Sequence, residues 1–190
     1  MKKFAILFIF SVFTVSAFAQ KFGVRAGLNF ANVSIKNEGL SISPSGKTGI
    51  NAGIFVNFKV GPLVSIQPEL AYAGYGYTVS TSGVSGEATS SYLSVPLLVK
   101  VKIPLTGLAF YAGPQYGILL KADGTSAGVT QSIKDQYKSG DFSAVAGVEY
   151  ALPIGLFATV RYQAGLSNIS SDATVDVKNN AISLLVGFKF

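Results

Sequence analysis

Apolar and polar residues alternate one for one through segment after segment of this chain. In Phe22 to Phe30, the apolar set is Phe22, Val24, Ala26, Leu28 and Phe30, and Gly23, Arg25, Gly27 and Asn29 lie between them. A period of two puts the sets on opposite faces of a β-strand. The pattern returns in Ile50 to Val60, where Phe55 joins the polar face, and in Val64 to Tyr77, where Val64, Ile66, Leu70 and Tyr72 oppose Ser65, Gln67 and Glu69. It continues in Tyr92 to Ile103, Phe142 to Leu152, Leu156 to Leu166 and Ile182 to Phe190, and less cleanly in Leu108 to Leu120. Eight strands are therefore expected.

The connections alternate as well. Gly61-Pro62, Pro104 to Gly107 and Pro153 to Gly155 are short and carry turn residues. Lys36 to Lys47, Ser80 to Ser91, Ala122 to Gly140 and Asn168 to Asn179 are long, polar stretches rich in Ser, Thr, Gly and Asn. Strict turn-taking gathers the long loops at one end, as in outer-membrane barrels with short periplasmic turns and longer external loops. Ala-Gly recurs at 26–27, 52–53, 146–147 and 164–165 with Gly on the polar face, where it lets a curved wall crowd inward.

The two faces differ in what they suit. Hydrophobic residues make up 49% of the chain and charged residues 13%, yet no mature segment approaches the ~20 apolar residues of a membrane helix. A soluble barrel would turn its apolar face inward. Here the apolar face carries the large side chains, while the other mixes Gly, Ser, Asn and charge that a narrow eight-strand interior holds. Aromatics on the apolar face fall at two heights: Phe22, Phe58, Phe110, Tyr150, Phe188 and Phe190 near the short turns, and Phe30, Tyr72, Tyr116, Phe142 and Tyr162 nearer the long loops. Phe22 to Phe30 covers roughly 20 Å at ~40° tilt, close to the ~25 Å apolar band of such barrels. Because hydrocarbon tolerates no open sheet edge, the last strand must close on the first. The fold expected is all-β, an eight-stranded antiparallel up-and-down transmembrane β-barrel.

The N-terminus supplies the route. Lys2 and Lys3 precede an apolar run from Phe4 to Val15, and Ala17-Phe18-Ala19 is a small-x-small cleavage site. That is the pattern of a secretory signal peptide, with cleavage expected after Ala19. Residues 1–19 then form the leader, and residues 20–190 a single barrel domain. Cysteine and histidine are absent, which excludes disulfides, thiolate chemistry and imidazole bases. The formal charge of +6 includes Lys2 and Lys3, and no basic run marks a nucleic-acid partner.

Several stretches then carry a resemblance. Lys21-Phe22-Gly23-Val24-Arg25-Ala26-Gly27-Leu28-Asn29, Gln67-Pro68-Glu69-Leu70, Tyr92-Leu93-Ser94-Val95-Pro96-Leu97-Leu98, Tyr111-Ala112-Gly113-Pro114 and Gly187-Phe188-Lys189-Phe190 resemble the PorT-like outer-membrane β-barrel family, over essentially the whole mature chain. The overall architecture also looks like the OmpA and OmpX type. The resemblance implies a Gram-negative outer membrane and a C-terminal signal, Phe188 and Phe190, read by the barrel-assembly machinery. The family's named member is tied to a protein-secretion system, and its other members are mostly of unknown function.

The remaining candidates are charges on the polar face: Arg25, Lys59, Glu69, Lys100, Lys102, Glu149, Arg161 and Lys189. Charges in a narrow lumen should pair, so a polar plug is expected, with Arg25, Glu69, Glu149 and Arg161 as a shared cluster near mid-barrel. No catalytic set, cofactor motif or metal-ligand set appears. Gly113-Pro114-Gln115 is no phosphate loop, and Asp172 and Asp176 lack further ligands. The reading is a structural, interaction or envelope-machinery accessory protein working through its external loops. A small channel or ligand carrier is the alternative, and an enzyme ranks last. Its expected partners are outer-membrane lipid, the barrel-assembly machinery and other envelope proteins.

Overall fold

The computed structural model describes residues 20–37, 40–42, 45–81, 84–126, 128–172 and 176–190. The expected leader, with Ala17 and Ala19, lies outside the described residues. Among those described, eleven strands form one sheet: β1 (Gln20–Asn37), β2 (Leu40–Ile42), β3 (Ser45–Gly46), β4 (Thr48–Lys59), β5 (Val64–Thr81), β6 (Val84–Lys102), β7 (Leu108–Ser126), β8 (Val129–Ser132), β9 (Gly140–Ala151), β10 (Leu156–Gly165) and β11 (Asp176–Lys189). Eight of them build the wall. Each is antiparallel to the next, in the order β1, β4, β5, β6, β7, β9, β10, β11. β11 then pairs with β1 from Gly23↔Lys189 to Lys36↔Asp176, and the ring is closed without an edge. The architecture is the up-and-down barrel that the alternation requires.

Burial separates the faces as a bilayer demands. Val24, Leu28, Ile54, Leu70, Val99, Val160 and Val186 are exposed on the outside. Arg25, Asn29, Gln67, Glu69, Lys100, Glu149, Arg161 and Ser183 are buried inside. Phe22, Phe110, Tyr150 and Phe190 stand exposed towards the short turns, and Phe30, Tyr72, Tyr116, Phe142 and Tyr162 towards the long loops. These are the two girdles that the interfaces of a membrane favour. No described helix is long and apolar enough to cross a membrane.

The long connections correct the sequence reading. Ser80 to Ser91 is largely a paired hairpin, with β5 and β6 in register out to Thr81↔Val84. Within Ala122 to Gly140, β7 runs on to Ser126, folds back on β8, and leads to a single 3-10 turn at Lys134–Gln136. Lys36 to Lys47 contains β2 and β3, and β11 already starts at Asp176. Beyond the bilayer both faces of a strand meet water. Ser, Thr and Gly therefore occupy both, and the alternation disappears while the backbone ladder continues.

The inner face is also less polar than expected. Phe55, Tyr75, Tyr92, Leu98, Tyr111, Leu119, Val145, Phe157 and Leu185 are buried within the ring. Three of the rings lie across a glycine on the next strand. Phe55 faces Gly23, Phe157 faces Gly187 and Tyr111 faces Gly147. A Cβ at Gly23 would meet the Phe55 ring at 2.2 Å, and one at Gly187 the Phe157 ring at 2.4 Å. The glycines thus make room for inward rings in a tightly curved wall.

Candidate functional site

The lumen is where the chain concentrates its polar chemistry. β5 carries Gln67 and Glu69 two residues apart, hence on the same face. Next to it β4 presents Asn51, and β1 beyond presents Arg25. β10, four wall strands away around the ring, presents Arg161 from the opposite side.

Glu69 gathers these groups. Arg25 donates to its Oε2 through Nε at 3.1 Å and approaches the same oxygen with Nη2 at 2.8 Å. Arg161 makes a fork, with Nη1 to Oε2 and Nη2 to Oε1, both at 2.9 Å. Gln67 Nε2 donates to Oε1 at 2.7 Å. The second head of Arg25 is occupied by Asn51 Oδ1 at 2.8 Å. Arg161 also donates to the Tyr111 hydroxyl at 3.2 Å and lies over that ring, with its guanidinium carbon 5.2 Å from the centroid. Since Arg161 and Glu69 come from facing walls, their bond crosses the bore. Charge-assisted bidentate bonds of this kind are the stronger class.

The structure brings Arg25, Glu69 and Arg161 together, but Glu149 bonds to neither arginine. Its partners are Lys100, with Nζ 2.6 Å from Oε2, and Lys189 on Oε1. Register explains the correction. Across the β9–β10 ladder Arg161 is level with Gly147, and Glu149 is level with Thr159, one step nearer the short turns. Lys100 also donates to Gln67 Oε1 at 2.7 Å. The full network therefore runs Lys189, Glu149, Lys100, Gln67, Glu69 and then both arginines. Gln67 and Lys100 are the linking residues that sequence reasoning left out of the cluster. Their inward parity was readable, but the tier at which they meet depends on strand stagger.

Above this network sit neutral ties. Tyr75 donates to Gln163 Oε1 at 2.6 Å, again across the bore, and Gln115 Nε2 donates to the same oxygen at 2.9 Å. Ser183 donates to Asn29 at 2.7 Å. At the long-loop end an apolar cap of Ala31, Ala73, Tyr75, Tyr92, Leu119, Ala122 and Ala181 closes the interior, with Ile133 and Tyr137 packed on it. The Tyr75 and Tyr92 rings meet edge to face at 5.6 Å. As for the C-terminal pair, Phe188 and Phe190 stack edge to face at 5.2 Å, and Phe190 N–H donates to Phe22 O at 2.8 Å.

A closed eight-strand ring with an outward apolar belt and a filled polar bore is the geometry of a small outer-membrane barrel. The family model described as outer membrane protein beta-barrel domain matches residues 18–171. The chain belongs to this family. Membership and the inverted faces together make the protein an outer-membrane β-barrel of Gram-negative type. No curated protein matches the chain. Among solved structures, Ail, the attachment invasion locus protein of Yersinia pestis, is similar at a TM-score of 0.57 and 18% identity, over 90% of this chain and 99% of that one. Neisserial surface protein A is similar at a TM-score of 0.59 and 16% identity, over 89% of this chain and 97% of that one. At such identities the likeness is one of fold.

Proposed function

We propose that this outer-membrane barrel is a closed platform, acting through its external hairpins as a structural, interaction or envelope-machinery accessory protein. The observation that supports it most directly is the Arg161–Glu69 fork across the bore. It lies between the Glu149 lysine pair on one side and the aromatic cap on the other. An eight-strand ring encloses only enough space for side chains, and here they fill it. Meanwhile β5 and β6 continue as a paired ribbon beyond the wall, which offers a partner a stiff surface. The PorT-like motifs favour an accessory role beside another envelope protein. Ail and neisserial surface protein A carry names that also speak of surfaces and attachment. On this reading the protein does no catalysis: the five N–H donors around Glu69 leave it no role as an acid or base.

Single-barrel recording in planar bilayers tests the closed bore. The expected trace is flat under applied voltage. Steady conductance from purified wild-type barrel that lumen substitutions alter would instead support the channel reading.

A further inference from the structure

The short-turn mouth of the barrel has a charge excess that the network does not use. Lys21, Lys59, Lys102 and Lys189 all have the strand parity of the inner face, at the ends of β1, β4, β6 and β11. Lys102 lies within electrostatic reach of Lys189, Lys59 and Lys21 together. The only side-chain carboxylate at this mouth among the described residues is Glu149, which Lys100 and Lys189 already share. Apart from Glu69 and Glu149, every described Asp and Glu falls in the segments at the long-loop end. Between the lysines lies a cavity of about 440 Å³, with Lys21, Asn57, Lys102, Glu149 and Lys189 as its polar lining and leucines of the short turns at its rim. Its inner end is shut by the network, so it is a blind vestibule.

We propose that this vestibule binds a multivalent oxyanion of the phosphate class, taken from the solution on the short-turn side. Converging like charges in a concave, low-dielectric wall focus their field on the space between them. Three lysines and one carboxylate line it, and with Lys189 held by Glu149 the charges of Lys21 and Lys102 are a surplus that a doubly charged anion offsets. Lysine side chains at a rim are long and mobile enough to close on such a ligand from several strands, while the Asn57 amide at the floor is held by Ser65 and Gln67. Since the bore is plugged, the anion is held and not passed. The site requires the plug described above, but not the external interaction role.

Titration calorimetry on the full folded barrel in zwitterionic detergent, with inorganic pyrophosphate at constant ionic strength, tests this. One saturable site is expected. The double variant Lys21→Gln/Lys102→Gln should weaken it by about tenfold or more, as loss of two near charges implies. Lys134→Gln/Lys138→Gln removes the same charge at the long-loop end and should leave affinity unchanged, and Lys102→Arg should retain it. No saturable heat with wild type, or equal loss in both double variants, overturns the proposal. Neither result bears on conductance or on the external hairpins, so the two readings fail separately.

Discussion

Glu69 has its whole acceptor capacity committed, and that makes it the residue on which the lumen most depends. Taking a carboxylate out of water is costly unless its charge is matched and its lone pairs are filled. Two guanidiniums and one amide do both here. Glu69→Gln would leave Arg25 and Arg161 facing each other with no anion between them. We expect a loss of ~3–5 kcal/mol in urea unfolding of the barrel in lipid. The register of Glu149 gives a sharper expectation. Glu149→Gln combined with Lys100→Met should be clearly less than additive, because the two side chains form one pair. Glu149→Gln combined with Arg161→Met should come closer to additivity, since the two connect only indirectly, through Lys100 and then Gln67 and Glu69 or the Tyr111 ring. Coupling that is stronger with Arg161 than with Lys100 would contradict the two-tier arrangement.

At the scale of strands, what could be read in the sequence followed the solvent on each face. Lipid imposes one rule on every outward position of every strand, so Phe22, Val24, Ala26, Leu28 and Phe30 announce their face without help from neighbours. The lumen imposes no such uniformity. Leu98, Val145 and Leu185 point inward as well as Lys100 and Glu149, and each is suited only to the side chains across the bore. Single-strand periodicity has no access to that, nor to strand pairing beyond the bilayer, where both faces are wet. The glycines were visible as a recurring feature, but not their partners. Opposite Phe55, Gly23 fills a structural need that the pairing explains: the ring is held by Phe157 edge to face at 5.7 Å and cannot slide away. Gly23→Ala should therefore cost ~1–3 kcal/mol by overpacking. Gly61→Ala, where a Cβ would meet nothing within 4 Å, is the control and should be nearly neutral. Equal effects of the two in thermal or urea unfolding would remove the steric explanation.

For the molecule as a whole, the decisive contact is the seam between β1 and β11. It aligns Gly23 with Lys189 and Arg25 with Gly187, and it ends with the Phe190 amide on Phe22. Deleting Phe190 removes that last backbone bond and half of the aromatic pair with Phe188. We expect a lower folded fraction in the outer membrane, read as the compact band of unheated samples on a denaturing gel. An unchanged folded fraction at native expression would argue that assembly does not depend on this end. The seam also sets an order of events. Neighbouring hairpins can form as soon as both their strands exist, whereas the β1–β11 ladder must wait for the end of the chain. Contacts between sequence-distant residues are the slow ones to form, and until this one forms the sheet has two free edges, each a template for a neighbouring chain. The hazard for this protein is therefore concentrated in time: it is greatest between the export of the last strand and the closing of the ring, and it ends when the two edges become one.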